Sequence, residues 1–151
     1  EDYEKIMQFI WCDYHHHGYV WYSQRGAISS KGKPTTIQMH RFLMGLVDSW
    51  IWVDHINHDG LDNRRENLRI ATNSQNSGNQ RKQSASTTSQ FKGVSWCKQK
   101  KRWRAVIMID GKNKHLGYFS SEEEAALVYN QAAILGFGEF AFLNSVNEDM
   151  S

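Results

Sequence analysis

Residues 53–76 read VDHINHDGLDNRRENLRIATNSQN, and this stretch decides how the first half of the chain folds. Val53 lies in the run Ser49 to Ile56, SWIWVDHI, whose Trp, Ile and Val content is that of a strand. Asn57 to Gly60 supplies turn chemistry, because Asn, Asp and Gly tolerate tight and left-handed backbone. The polar loop His58 to Glu66 leads to a brief strand, Leu68 to Ala71. Thr72 then opens a helix. Thr72 and Gln75 stand three apart, the spacing of a capping box, in which two side chains satisfy the first helical N–H groups. The expected order is strand, long turn, strand, helix, with an adjacent acid and imidazole, Asp54 and His55, where the first strand ends.

Outward toward the N-terminus, Asp2 to Gln8 is expected to be a short helix. GYVWYSQRG, Gly18 to Gly26, reads as a strand ending in a turn. Thr35 to Gln38 is a further strand leading into a short helix, MHRFLMGLV, from Met39 to Val47. His40 in that helix either faces the site or caps the helix. The run His15-His16-His17 with Cys12 is expected to be a polar turn, transition-metal binding being the alternative.

Outward in the other direction, RKQSASTTSQ, Arg81 to Gln90, lacks apolar bulk and reads as a linker. Beyond it come strands KGVSW (Lys92 to Trp96) and RWRAVIMI (Arg102 to Ile109), a turn at Asp110-Gly111, and strand KHLGYF (Lys114 to Phe119). A helix follows from Glu122, with Ser121 and Glu124 as a second capping box and Gly136 as its stop. Three glutamates suit the positive end of that helix. Ala125, Ala126, Ala132 and Ala133 let it lie close against a sheet. Alternation puts Trp103, Ala105, Ile107 and Ile109 on the helix-packed face, and Arg102, Arg104, Val106 and Met108 on the open one. The expected class is α+β, divided as domain 1–80, linker 81–90, domain 91–144 and tail 145–151.

With 40% hydrophobic and 23% charged residues in 151, the chain is globular. No apolar run approaches the roughly 20 residues that span a bilayer, so no membrane partner is expected. The opening EDYEKIMQFIW is acidic and amphipathic, unlike a secretory signal. Cys12 and Cys97 are far apart, which disfavours a disulfide framework and makes a reducing, cytoplasmic compartment the expectation. Charge is uneven. Residues 1–80 carry 8 Lys/Arg against 9 Asp/Glu, a net of −1; residues 81–119 carry 10 against 1, a net of +9; residues 120–151 carry 0 against 6, a net of −6. A middle segment that basic, interleaved with aromatic residues, suits a polyanion-binding surface.

At Asp54-His55, Asn67 and Asn76 the sequence resembles the HNH nucleases with their ββα-metal (His-Me finger) fold. It is similar to phage and intron-associated homing endonucleases sharing DHIN…DNRRENLR…TNSQN, over roughly Met39 to Gln80. The resemblance implies His55 as the general base, since a neutral imidazole takes a proton from water near neutral pH. It implies that Asp54 and the side-chain oxygen of Asn76 hold one divalent ion, Mg²⁺ with Mn²⁺ able to substitute, as hard cations prefer oxygen ligands. Asn67 takes the family's structural middle position, and Asn63 assists it. His58 stands where the family commonly has glycine.

Phe91 to Asn144 resembles the plant ethylene-response-factor (APETALA-two) DNA-binding domain, which phage endonucleases also carry. The matching motifs are FKGVSW, WRAVI, HLGYFSSEEEAALVYNQAA and GEFAFLN. The resemblance implies a three-stranded sheet that enters the major groove of double-stranded DNA. Its contact positions fall on Lys92, Trp96, Lys98, Arg102, Arg104, Asn113 and His115. Ser95 and Met108 replace arginines typical of plant members, so the plant recognition sequence does not carry over. The whole chain reads as a metal-dependent, site-specific homing endonuclease, monomer or homodimer, a monomer nicking one strand. The alternatives are a non-cleaving DNA-binding regulator on a degenerate nuclease fold, and a non-specific DNase.

Overall fold

A computed structural model describes residues 2–16, 20–46, 50–82 and 88–146, and the chain divides into two units, Glu1–Thr72 and Asn73–Ser151. Among the described residues no helix is long and apolar enough to cross a membrane.

Unit 1 begins with α1 (Asp2–Ile6) and an antiparallel sheet of β1 (Cys12–His16), β2 (Val20–Ile28) and β3 (Pro34–Gln38), in the order β1-β2-β3. The polar turn expected around His15 begins instead as an edge strand. Cross-strand aromatic pairs account for it: His15 stacks on Trp21 at 4.5 Å, and Tyr14 pairs with Tyr22 at 6.0 Å. Of the His15–His17 run only the His15 side chain lies within the described residues, and the Cys12 thiol donates to the Gln24 carbonyl at 3.4 Å. On the sheet the Arg25 guanidinium lies 3.9 Å from the Phe9 ring centre, beside Trp11 and Phe42, a cation–π cluster that ties α2 to the strands.

Helix α2 (Met39–Leu43) stops earlier than the apolar run MHRFLMGLV implies. Gly45 takes φ +71°, Gly45 N–H donates to Phe42 O at 3.1 Å, and Leu46 N–H donates to Arg41 O at 2.8 Å. That is a Schellman ending, which closes the last carbonyls with a left-handed glycine. Next, β4 (Trp52–His55) pairs antiparallel with β5 (Leu68–Ala71), with Asp54 opposite Arg69 and His55 opposite Leu68. A 3₁₀ turn, Arg65–Asn67, precedes β5.

Unit 2 starts with α3 (Asn73–Asn79), so the order strand, turn, strand, helix is present along the chain. Residues 83–87 of the expected linker and 147–151 of the tail lie outside the described residues. A second antiparallel sheet has the order β6-β7-β8, from β6 (Val94–Cys97), β7 (Arg102–Ile109) and β8 (Lys112–Phe119). Asp110 and Gly111 make its turn with φ of +51° and +72°, the primed geometry that matches strand twist. Between Ala105–Gly117 and Val106–His115 the register slips, leaving Leu116 as a bulge.

Helix α4 (Glu122–Phe137) packs on one face of this sheet, where Ala105, Ala125 and Ala126 are fully buried with Phe91 and Val94. Ser121 caps it, its Oγ accepting from Glu124 N–H at 2.9 Å, while the Glu124 carboxylate reaches back to Ser120. The expected stop at Gly136 is wrong by two residues. Gly138, at φ +56°, follows the last helical residue, and Gly136 lies inside the helix because a Cβ there would sit 2.4 Å from Ile109 Cδ1. Asn144 ties the chain after α4 to the segment just before β6: its side-chain amide exchanges bonds with Lys92 N and O at 2.6 and 3.1 Å, while its backbone N–H donates to Asn130 Oδ1 at 2.8 Å and its carbonyl accepts from Asn130 Nδ2 at 2.9 Å.

Candidate active site

The β4–β5 hairpin is joined by a turn that builds its own scaffold. Asn67, 6% exposed, accepts from Asn57 N–H at 3.0 Å and donates to Asn57 Oδ1 at 3.0 Å and to Asp62 O at 2.7 Å. Asn57 Oδ1 accepts from Asp59 N–H and Asp59 Oδ1 from Leu61 N–H, two Asx turns in series. Arg64 grips both oxygens of Asp62 at 2.8 Å, which holds that carboxyl below the usual carboxylate range. His58 takes φ +65°, the conformation for which glycine is best suited. Gly60 allows the turn to touch β2: a Cβ there would lie 2.4 Å from Trp21 O and 2.7 Å from the Tyr22 ring.

His55 ends β4 and is 7% exposed. Asn63 donates through Nδ2 to Leu61 O at 3.1 Å, which turns its Oδ1 toward His55 Nε2 at 3.3 Å. An amide oxygen only accepts, so this orientation assigns the proton of the neutral ring to Nε2 and the lone pair to Nδ1. Burial lowers the His55 pKa, opposed by the Asn63 bond and by the charges of Asp54, Asp59 and Asp62. The ring is neutral at physiological pH, the form a general base needs.

Two further rings from elements earlier in unit 1 complete the setting. His40 of α2 meets His55 edge to face at 4.9 Å, and Tyr22 of β2 lies 5.7 Å from His40 and 5.8 Å from His55. His40 is 5% exposed, and its Nδ1 has no hydrogen-bond partner among the described residues. Burial, and to a lesser degree His55 and Arg41, push it down to about 3. The choice the sequence left open for His40 is resolved in favour of the site. Tyr22 was missed; the alternation of β2 holds the signal, since it puts Tyr22 and Tyr14 on one face and Trp21 and His15 on the other.

Asp54 is 5% exposed, and its Oδ2 accepts from both Nε and Nη2 of Arg69 at 2.9 Å. This pair was also missed, although the register of a hairpin centred on the 56–67 turn puts Arg69 opposite Asp54. Asp54, His55, Asn63 and Asn67 are thus brought together in unit 1; Asn76 is a half-buried residue of α3 in unit 2. Among the described residues there is no group of three or more His, Cys, Asp or Glu side chains placed to hold a metal ion. The donor chemistry of Asp54 and Asn76, a carboxylate and an amide oxygen, does fit a hard cation that takes few protein ligands.

In unit 2 the register sorts the expected DNA-contact residues. Ser95 and Tyr118 flank Arg104, Cys97 faces Arg102, His115 faces Val106 and Asn113 faces Met108, all on the sheet surface opposite α4. Lys98, Arg102, Arg104, Asn113 and His115 are exposed. Trp96 is also exposed but lies on the other face by register: it pairs with Trp103, ring centres 5.2 Å apart. Lys92 does not join them either. Its ammonium donates to Ser77 O, Gly78 O and Gln80 O at 3.1, 2.7 and 2.6 Å, and burial pushes it down to about 8.

Comparison with known proteins gives a consistent result. A family profile described as HNH endonuclease matches residues 14–77. The chain is 35% identical over 134 residues to an uncharacterized HNH endonuclease of Acanthamoeba polyphaga mimivirus, covering 85% of this chain and 68% of that protein. It is 32% identical over 105 residues to Protein 3.8 of Escherichia phage T7, covering 70% of this chain and 85% of that one. A stretch of 34 residues is 50% identical to an ethylene-responsive transcription factor-like protein of Arabidopsis thaliana, 22% of this chain and 15% of that protein. No solved structure matches the chain significantly.

Proposed function

The chain belongs to the HNH endonuclease family, and from that premise we propose that it is a metal-dependent, site-specific DNA endonuclease of the homing type. The observation that carries this reading is the environment of His55: buried, with burial lowering its pKa, and with Nε2 3.3 Å from the Asn63 amide oxygen, a contact that favours the tautomer with its basic nitrogen at Nδ1. Phosphodiester hydrolysis needs a deprotonated water, and His55 is the base that takes its proton. Asp54 and Asn76 would hold one divalent ion, Mg²⁺ or Mn²⁺. When bound, that ion supplies Lewis acidity toward the phosphate oxygens. Asn67 and Asn63 keep the turn in shape, and Tyr22 and His40 shield His55 from water on the side they cover.

In the same reading, residues 1–80 form the ββα-metal nuclease domain, and residues 91–144 are an ethylene-response-factor-like domain that grips double-stranded DNA. Its contact surface is the open face carrying Arg102, Arg104, Asn113 and His115, extended by Lys98; Lys92 and Trp96 are left out. One specific observation favours the alternative of a non-cleaving DNA-binding regulator, namely that an Asp54 oxygen is already engaged by Arg69. Incubating supercoiled plasmid with the full chain and Mg²⁺, with and without chelator, decides between them. Nicked or linear product that chelator abolishes supports the nuclease; binding without any cleavage supports the regulator.

A further inference from the structure

Helix α3 carries Asn76, and every contact named below that holds this helix comes from unit 2. Its sequence, NSQNSGN, contains three asparagines, two serines and a glycine, all poor helix formers. A helix of seven residues, six of them of this kind, does not sustain itself alone. The last carbonyls of any helix lack partners within it, and here Lys92 spends all three N–H donors on Ser77 O, Gly78 O and Gln80 O. A cation at that end also complements the helix dipole.

The grip is reinforced at both ends. Gly78 O accepts from Phe142 N–H at 3.1 Å, and the missing Cβ of Gly78 leaves room for the Phe137 ring, which a Cβ would approach to 2.6 Å. At the other end Ser74 Oγ accepts from Asp110 N–H at 3.0 Å, in the β7–β8 turn. Lys92 is itself fixed, because both its backbone polar groups pair with the buried amide of Asn144. Lys92, Asp110, Phe137 and Phe142 all lie beyond residue 80. A nuclease domain ending there would contain Asn76 without the groups that shape its helix.

We propose that Lys92 is a positioning residue for Asn76: by clamping the end of α3, the half of the chain assigned to DNA binding also sets a metal ligand of the nuclease. The inference rests on reading Asn76 as that ligand.

The test compares full-length wild type, Lys92→Met and Lys92→Arg. Three quantities are measured: Mn²⁺ binding without DNA, followed by the loss of the free-ion resonance; duplex affinity in chelator; and nicking as a function of Mg²⁺. Lys92→Met should weaken Mn²⁺ binding and raise the Mg²⁺ concentration for half-maximal nicking about tenfold or more, the scale of a lost charge-assisted bond. Amide exchange at Ser77 to Gln80 should quicken alongside, while duplex affinity stays within about twofold of wild type; Lys92→Arg should recover part of the loss. Unchanged metal dependence, with quicker exchange or with weakened duplex binding, overturns the inference and leaves Lys92 as a packing or phosphate-contact residue. If Lys92→Met does not fold, Ser74→Ala carries the test, since it removes only the bond at the other end of α3: a shift in Mn²⁺ binding supports the inference and no shift overturns it. A wild type that neither cleaves nor binds Mn²⁺ sinks the nuclease reading and the inference together, whereas a cleaving wild type with an unresponsive variant sinks the inference alone.

Discussion

His40 and His55 stand edge to face with ring centres 4.9 Å apart, buried together against Tyr22. Two histidines in one dry pocket cannot both protonate without each opposing the other. Burial is the main cause that pushes His40 down to about 3, and it lowers His55 as well.

That arrangement makes stability fall on the acid side. An unfolded histidine takes a proton near pH 6.5, whereas folded His40 stays neutral down to about 3. Below pH 6.5 the unfolded chain therefore binds more protons than the folded one. The contribution is complete above the unfolded value and is lost as the pH drops toward the folded value. His40 alone should give a slope approaching about 1.4 kcal/mol per pH unit between roughly pH 6 and 4. The groups facing it are His55, Tyr22 and Arg41, and of these only His55 adds to the slope in that range. Urea midpoints from pH 7.5 to 4.5 measure it. His40→Phe keeps a ring in place and should flatten the profile; a slope equal to wild type would show that His40 is not the group responsible.

His55→Ala should slow plasmid nicking by roughly 10²–10⁴, the usual worth of a general base, with duplex affinity unchanged. Asn63→Ala should slow it less, because the ring stays but is free to take the other tautomer. Near-wild-type nicking by His55→Ala would remove that residue from the mechanism, and equal losses in both variants would mean that the Asn63 bond is indispensable to the base.

The Asp54–Arg69 pair gives a stability prediction independent of catalysis. Asp54 is buried and Arg69 is 14% exposed, so removing Arg69 strands a buried carboxylate. Arg69→Met should cost about 3–5 kcal/mol in chemical denaturation. Asp54→Leu combined with Arg69→Met should recover much of that, since no unpaired charge remains. A loss below about 1 kcal/mol in the single variant would show that water reaches Asp54.

These residues also mark where the sequence was legible. Strand β7 and the loop-flanked strand β5 could be read to the residue, because alternation and turn chemistry act locally. Asp54, His55 and Asn67 were legible through the resemblance to the HNH nucleases, whose motif spaces them along one strand–turn–strand unit. Tyr22 and His40 reach His55 only through the placement of β2 and α2, which spacing within the hairpin does not display, whereas Arg69 follows from the hairpin register itself. The α4 ending was misjudged for a related reason: Gly136 is small for the sake of Ile109 across the fold, while the true terminator is Gly138. Lys92 read as a DNA contact because a lysine beside an aromatic strand carries no mark of the helix whose carbonyls consume its charge.

The division between Arg104 and Trp96 gives the last prediction. Adjacent residues on a strand point to opposite faces, and the pairing of Ser95 with Arg104 and of Trp96 with Trp103 fixes which face each occupies. Arg104 is exposed beside Tyr118 and donates to Ser95 Oγ at 3.3 Å, on a surface whose neighbours are Arg102, His115 and Asn113. Between residues 81 and 119 only Asp110 opposes ten basic side chains. If this face grips the duplex, each phosphate contact contributes about −0.9 to the slope of log affinity against log salt. Full-length Arg104→Ala, titrated with labelled duplex in chelator at several salt concentrations, should bind more weakly and show a slope shallower by about that amount. Lys98→Ala should act in the same direction, and the Mg²⁺ dependence of nicking should not change in either. Trp96→Phe should leave the slope as it is, because its ring packs on Trp103 away from this surface. Should Trp96→Phe flatten the salt dependence while Arg104→Ala does not, the duplex is held by the other side of the sheet.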